Sequence, residues 1–445
     1  MKILTTIFLI CASALTALTE AGSPADAATN AVVITTDYIN RLAEEARTNN
    51  PALRAADSRV RSATANVGSV RSWDDPMATF GGSVYSSRGF KPSEDGNLAY
   101  GVEQKLPLWG RPKLNRTVAE TDLSVRQADV DYRYQQLRRD ITRALLLTAL
   151  AERVVEIGEQ DLAWLEATAK ATENKYRTGQ AVVADTLQIQ NEVAKRNDTL
   201  RTDRLRLGHE HISLNRLLNR EVNSPWPSLQ LPEVAPAVPF SEKLVTRALA
   251  SEPRLKVMEQ EIKQAEAAAK LARNMRLPDV SFGVEGRQFS DDGGFRSGMF
   301  KLGMSLPWGN AGKYRKDYER EKERQKAAEQ EREDQALMVR EQLHHLTVDI
   351  EAFRREALLQ RDEILTRATQ ALFSRLADWE TGRGTFRDVL DARRSLLESQ
   401  LMAARAIAEQ QQAVAELLLW AGLENAEALA PLTNEPSITP EHEKH

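Results

Sequence analysis

The sequence has 445 residues, of which 42% are hydrophobic, 28% are charged and 6% are aromatic, with a formal net charge of −4. The near balance of acidic and basic residues argues against a nucleic-acid-binding protein. The single cysteine, Cys11, excludes a disulfide framework and any cysteine-based metal site.

The first residues predict a secretory signal peptide. Lys2 is followed by an uncharged apolar run over residues 3–18, and Ala25 and Ala27 supply the small residues that precede a cleavage site. The run is shorter than the ~20 residues that a transmembrane helix needs, so a membrane anchor is the weaker alternative. We expect residues 1–27 to be removed, Cys11 with them, and the mature chain to be exported.

The remainder of the chain contains one internal repeat. Residues 76–81 match residues 278–283 at an offset of 202, and residues 176–179 match residues 379–382 at an offset of 203. Ordered landmarks at a nearly constant offset indicate two copies of one structural unit. We expect a first repeat over 28–220, a proline-rich connector over 221–240, a second repeat over 241–423 and a disordered tail over 424–445.

Each half changes its hydrophobic period in the same order, from helix to two strands, to a long helix and then to a shorter one. The predicted elements of the first half are a helix over 35–71, strands over 77–87 and 97–108, and helices over 113–177 and 184–218. Those of the second half are a helix over 241–275, strands over 279–289 and 297–306, and helices over 313–380 and 385–421.

Each long helix carries a heptad seam. Apolar and small residues recur there at a 4-3-4-3-4 spacing, which predicts packing against neighbouring helices. A helix of about 65 residues extends ~97 Å, and the two shorter helices of each half together approach that length. Two short helices stacked beside one long helix predict a rod or tube. The seam residues are Leu137, Ile141, Ala144, Thr148, Ala151 and Val155 in the first half, and Val339, Leu343, Leu346, Ile350, Phe353 and Ala357 in the second.

The strands alternate apolar and polar residues over about ten positions, the length of a tilted transmembrane β-strand. One soluble sheet with a buried face is the alternative. Four strands cannot close a barrel, because small barrels need about eight, so membrane strands would have to be pooled by several chains. Trp109 and Trp308 fall where strand gives way to long helix, a position that suits an interfacial aromatic belt or ordinary packing at a strand end.

The ordered set of leader, twofold repeat, strand pairs and Thr-Gly turns resembles the TolC-like outer-membrane factor family over residues 35–421. The resemblance implies a mainly α fold with a small β part, in which long helical hairpins form a trimeric α-barrel. Four transmembrane strands per chain would contribute to a shared 12-stranded β-barrel. It also implies a passive exit duct in the outer membrane, with a periplasmic tunnel, for tripartite efflux or type I secretion. The short segments 106–110 and 306–309 are most similar to the branch paired with heavy-metal or small-molecule pumps.

The resemblance also implies a periplasmic aperture at the turns between long and short helices. Gly179 and Gly382 would form these tip turns. Asp388 and Asp391 match the paired aspartates of the constriction, and Asp185 matches their first-half counterpart. The aromatic positions are Tyr176 and Trp379, the latter where Tyr is usual, and Gly384 replaces a gating Arg found in some members.

Elementary electrostatics points to the same aspartates. Asp388 and Asp391 stand three residues apart at a helix start and therefore share a face. Threefold symmetry would make each a ring of like charges, which raises the carboxyl pKa and attracts cations. The alternative is that these residues only complement the helix dipole.

We find no nucleotide-binding, hydrolase or metalloprotease motif, so we expect no enzyme activity, catalytic residue, cofactor or metal site. His344 and His345 point about 100° apart on a helix and do not suit one metal ion. The expected partners are two further copies of the chain, a periplasmic adaptor, an inner-membrane transporter and outer-membrane lipid, with no nucleic acid. The alternatives of another class are a periplasmic adaptor with a coiled-coil hairpin and a periplasmic enzyme with a helical shell.

Overall fold

The computed structural model describes residues 31–70, 73–83, 97–289 and 293–433. The predicted signal peptide and residues 434–445 lie outside the described residues. Within the described part of the chain, no helix combines the length and the apolar character that crossing a membrane would require.

The first half follows the predicted element order, with one correction. The helix predicted over 35–71 is two helices, because proline at position 51 disfavours helical backbone at Asn50, which is extended and caps the second helix through its side chain. A two-residue strand precedes them. The elements are β1 (Val32–Val33), α1 (Thr36–Asn49), α2 (Pro51–Ser69), β2 (Met77–Ser83), β3 (Asn97–Lys105), a 3₁₀ turn (Leu108–Gly110), α3 (Arg111–Arg177) and α4 (Val183–Leu218).

The second half repeats this order with two differences from prediction. Pro253 divides the helix predicted over 241–275, as Pro51 does in the first half. The long helix predicted over 313–380 contains a π-helical turn, Leu359–Ile364. The elements are β4 (Leu229–Gln230), α5 (Glu242–Ser251), α6 (Pro253–Asn274), β5 (Val280–Phe289), β6 (Phe295–Met304), a 3₁₀ turn (Pro307–Asn310), α7 (Ala311–Leu358), the π turn, α8 (Leu365–Glu380) and α9 (Phe386–Ala421).

The helices form four parallel columns. α2 and α4 pack on one side of α3, α6 and α9 pack on its other side, and α7 with α8 packs beyond them. The short helices meet end to end: Asn50 Nδ2 donates to the carbonyl of Leu217 at 2.8 Å, and Ser251 Oγ donates to the carbonyl of Ala421 at 2.8 Å. The rod expected from the helix lengths is confirmed.

The packed interior follows the predicted heptad seams. Leu137 and Ile141 of α3 are buried in one cluster with α1 and the end of α4, and Val339 and Leu343 of α7 are buried in a second cluster with α5 and the end of α9. The two clusters are matched regions of the two halves, so each half packs its own apolar core.

One antiparallel sheet joins the halves, in the strand order β2-β3-β5-β6. The central pair, β3 with β5, runs in register from Asn97 opposite Phe289 to Lys105 opposite Ser281. β2 and β6 are the open edges of this sheet. A separate parallel pair, β1 with β4, attaches the start of the described chain to the connector.

The polar segment after α9 differs from prediction. Residues 424–445 were expected to be disordered, yet Ala426–Leu429 forms a 3₁₀ helix and Ala430–Thr433 a further helical turn, α10. The reason is burial, since Leu429 packs into the cluster of α5, α7 and α9. The expectation is therefore wrong for this part of the tail.

Candidate functional site

The two turns between long and short helices share one conformation. Gly179 and Gly382 have φ of +75° and +74°, a region that residues with a Cβ rarely occupy. The amide of Gly382 donates to the carbonyl of Trp379 at 3.1 Å, and the amide of Arg383 donates to that of Asp378 at 2.8 Å. The same pair of bonds surrounds Gly179, so each long helix ends in a Schellman motif.

The helix after the second turn begins with a capping box. Thr385 Oγ1 accepts from the amide of Asp388 at 3.3 Å, and Asp388 Oδ2 accepts from the Thr385 amide at 3.3 Å and from its hydroxyl at 2.8 Å. At the matched positions of the first half stand Val182 and Asp185, and Val182 has no side-chain oxygen with which to cap α4. The two tips are therefore alike in backbone but not in capping.

Asp388 and Asp391 share one side of α9 at its start, as the sequence predicts. Asp391 forms ion pairs with Arg394 at 3.0 Å and with Arg387 at 3.9 Å. The hydrogen bonds from Thr385, side chain first and then backbone, lower the pKa of Asp388 below its ordinary value. Within one chain, Asp388 thus stabilises the N-terminus of α9. A role at the helix terminus is the alternative that the sequence analysis gives for this residue.

The two aromatic positions have different environments. The ring of Trp379 lies 3.8 Å from Lys175 Nζ and 5.2 Å from the ring of Phe386, so it links the tips of both hairpins. Tyr176 is half exposed, and no hydrogen bond joins it to Asp185, Asp388 or Asp391 among the described residues. Asp185 lies in the first turn of α4.

A buried charge cluster above the tips was missed by the sequence reasoning. Asp161 of α3 is 3% exposed, and its carboxylate contacts Arg196 Nε of α4 and Arg393 Nε of α9, each at 2.7 Å. On the surface beside it, Arg394 Nη2 donates to Glu192 Oε1 at 2.9 Å. These contacts join the first hairpin to the second. A sequence signal exists, because Asp161 interrupts the buried stripe Ile157, Leu165, Thr168 and Thr172 of α3.

The two faces of the sheet differ in polarity. Phe80, Phe300 and Leu302 are strongly exposed on one face. On the other, Glu285 is buried and forms ion pairs with Arg287 at 3.0 Å and with Lys301. The alternation predicts a lipid-facing and a lumenal surface.

The two tryptophans lie at the predicted junction of strand and helix. Trp109 has a φ of +62°, held by a bond from its indole to the carbonyl of Pro278 at 2.8 Å and by one from Asn274 Nδ2 to its own carbonyl at 2.8 Å. Trp308 is exposed at the matched point of the second half. Trp109 therefore also ties the two halves together.

Among the described residues, no group of histidine, cysteine and acidic side chains is arranged to hold a metal ion. His345 Nδ1 contacts Asp349 at 3.0 Å, whereas the ring of His344 lies against Phe240, so the two histidines face different neighbours.

A sequence model of the family described as "Outer membrane efflux protein" matches residues 42–220 and 244–423, most of both halves. The chain belongs to the outer membrane efflux protein family. Members of this family are channel proteins, and this outer membrane efflux protein is accordingly assigned to the outer membrane. No curated protein matches its sequence significantly.

Solved channels share the fold of this outer membrane efflux protein. The outer-membrane channel OprN is 19% identical with a TM-score of 0.73, covering 86% of this chain and 89% of that one. VceC of Vibrio cholerae is 18% identical with a TM-score of 0.72, covering 87% and 96%. The CmeC channel of Campylobacter jejuni is 13% identical with a TM-score of 0.75, covering 89% and 90%. The mainly α fold with a small β part is confirmed.

Proposed function

We propose that three copies of this chain form the passive exit duct of a tripartite efflux system. The observation that carries the proposal is the four-stranded sheet, which exposes apolar side chains such as Phe80 and Phe300 on one face. Among the described residues, the outer edges of β2 and β6 have no strand partner. A bilayer does not tolerate open strand edges. Pairing β6 of one copy with β2 of the next satisfies both edges, and three copies supply twelve strands.

The helical columns support the same assembly. Leu205 on the outer column α4 is 77% exposed, whereas Ala408, its counterpart on α9 at an offset of 203, is buried. Val348 on the outer column α7 is 54% exposed, whereas Leu146, its counterpart on α3 at an offset of 202, is buried. Inside the chain, α3 and α9 cover one another. We infer that α7 of one copy and α4 of the next repeat this contact.

Under this proposal the tips form the periplasmic aperture. Asp388 and Asp391 would each recur three times around the axis, with Asp185 at the matched tip, while Tyr176 and Trp379 precede the turns at Gly179 and Gly382. Rings of carboxylates attract cations. Trp109 and Trp308 would lie near the lipid interface.

The aperture is tested by conductance in planar bilayers. We expect the double variant Asp388→Ala with Asp391→Ala to weaken block by multivalent cations added on the periplasmic side. The matched control is Asp198→Ala, which removes an exposed carboxylate from the middle of α4. Unchanged block in the double variant would show that these residues do not form the constriction. Absence of any channel conductance would contradict the proposed duct itself.

The expected partners follow from the position of the tips. A periplasmic adaptor would engage them and open the aperture, and an inner-membrane transporter would supply the energy and select the cargo. A heavy-metal cargo and a type I secretion role stay predictions. An adaptor identity for this chain itself would need a single hairpin flanked by compact β domains, whereas the described residues form two hairpins, one four-stranded sheet and one short parallel strand pair. Cargo that accumulates in a deletion strain identifies the substrate class.

A further inference from the structure

A small cavity lies between the two hairpins, above the tips. It has a volume of about 90 Å³, is partly open to solvent and is bordered by α3, α4 and α9. Four cationic and two anionic side chains line it, a formal excess of two positive charges, and three leucines and Thr199 complete the wall. The charged residues are Lys195, Arg196, Arg393, Arg394, Asp161 and Glu192; the leucines are Leu165, Leu390 and Leu397.

Two of the cations are held in place by Asp161. Arg196 and Arg393 have side chains that are 15% and 13% exposed, and each contacts Asp161 through Nε, at 2.7 Å. Asp161 is the one carboxylate at ion-pair distance from either guanidinium among the described residues. Arg393 also lies over the ring of Trp164, with 4.9 Å from Cζ to the ring centroid. Both guanidinium groups are thus fixed while their terminal amino groups stay available.

The second pair of cations lies closer to solvent. Lys195 Nζ is 3.1 Å and Arg394 Nη2 is 2.9 Å from Glu192 Oε1, and Arg394 Nη1 also pairs at 3.0 Å with Asp391, which does not line the cavity. Guanidinium groups match oxyanions in geometry and charge, and a fixed guanidinium loses less conformational entropy when it binds one. A cavity that holds fixed donors and surplus positive charge suits a small anion better than a cation or an apolar ligand.

We propose that this cavity binds a small oxyanion, a phosphate or a carboxylate, with Arg196 and Arg393 as its principal donors. The anion would contact helices of both hairpins at once and brace them together. The second repeat does not reproduce the site, because the positions that match Arg196 and Glu192 at an offset of 203 hold Ser399 and Ser395. It is separate from the tip turns and does not require the trimer.

The test is isothermal titration of the full mature chain in detergent with inorganic phosphate, and separately with acetate. We expect saturable binding of one anion per chain. Arg394→Gln, whose side chain is half exposed, should fold normally and weaken the affinity roughly tenfold, and Arg393→Gln should weaken it at least as much. The matched control Arg405→Gln removes an exposed arginine from the same helix and should leave the affinity unchanged.

A second arm tests the site through Asp161. Asp161→Asn removes the competing charge, so phosphate should bind more tightly and should raise the melting temperature more than it does in the unsubstituted chain. Preference for phosphate over acetate would assign the site to an inorganic anion, and the reverse to a carboxylate. Absence of saturable binding, or equal affinity in Arg394→Gln and Arg405→Gln, would overturn the proposal while leaving channel conductance, and hence the duct, intact.

Discussion

The carboxylate of Asp388 has a structural role in the helix cap and a proposed functional role at the aperture. Its hydrogen bonds with Thr385 complete the capping box of α9. In the proposed aperture, the same carboxylate would belong to a ring of three negative charges. A capped carboxylate is held in one orientation by its donors, so the geometry of the ring would be set by Thr385. Asp185 lacks this restraint, because Val182 stands where the second half has Thr385.

Thr385→Ala should therefore loosen the start of α9 without disturbing the turn. Loss of an N-cap side chain costs about 1 kcal/mol, which corresponds to roughly fivefold faster hydrogen exchange at the first amides of the helix. The measurement is amide hydrogen exchange by mass spectrometry. Thr381→Ala is the control, since Thr381 Oγ1 bonds only to carbonyls of the preceding helix, those of Ala377 and Asp378, and to Arg383. Equal exchange in both variants would contradict the capping role.

The stabilisation of the α9 N-terminus by this cap should depend on pH. The folded pKa of Asp388 is lowered, so its contribution is complete above the unfolded value of 3.8 and is lost as the pH falls toward the lower folded value. We expect protection of the first amides of α9 to fall across that acidic window, after correction for the intrinsic exchange rate. In Asp388→Asn this fall should be absent. A fall of equal size in the variant would assign it to another group.

The position of Asp388 could be predicted from the sequence, whereas the role of Asp161 could not. Asp388 follows the glycine turn at Gly382 and lies at the start of the helix predicted over 385–421, so its position near a helix start could be predicted. The role of Asp161 could not, because its partners Arg196 and Arg393 are 35 and 232 residues away and only the packing of α4 and α9 on α3 brings them together. A charged residue within a buried stripe marks a site but does not identify its partners.

At the scale of elements, the Asp161 contacts attach the second hairpin to the first. Truncation to Asp161→Ala would leave Arg196 and Arg393 buried without a counter-charge, which costs about 3–5 kcal/mol. We expect a lower free energy of unfolding in urea for the purified protein. Asp198→Ala, an exposed aspartate of α4, should change it by less than about 0.5 kcal/mol. Similar values for the two variants would show that the cluster adds nothing to stability.

The order and type of nearly all elements could be predicted, because two copies of the same periodic pattern support each other. The breaks at Asn50 and Glu252 were missed although a proline follows each. A proline at the first position of a helix is compatible with a strong apolar period on both sides, so periodicity alone runs the two helices together. The capping side chains of Asn50 and Glu252 confirm that new helices begin there.

At the scale of the whole molecule, the proposed trimer predicts that α7 of one copy meets α4 of the next as α3 meets α9 within the chain. Cysteines at Leu205→Cys and Val348→Cys should form disulfides between neighbouring chains and yield a covalent trimer on denaturing gels. The only native cysteine, Cys11, lies within the predicted signal peptide, so the background is expected to be low.

Two controls make this cross-linking specific. Each single cysteine variant should form no cross-link. The double variant Leu205→Cys with Leu359→Cys should also form none, because position 359 lies 11 residues and ~16 Å farther along the helix than Val348. A trimer that forms without cross-links in the first pair would contradict the proposed register of the columns.

The π-helical turn Leu359–Ile364 reconciles two halves of unequal length. Before it, matched residues such as Thr148 and Ile350 are 202 apart; after it, Tyr176 and Trp379 are 203 apart. One surplus residue would rotate the rest of an α-helix by ~100° and turn Trp379 away from the neighbouring hairpin. Because the wider turn absorbs that residue, Trp379 keeps facing the first hairpin, where its ring lies 3.8 Å from Lys175 Nζ. In the proposed ring of three chains, the one-residue insertion would therefore leave the six hairpins nearly equivalent.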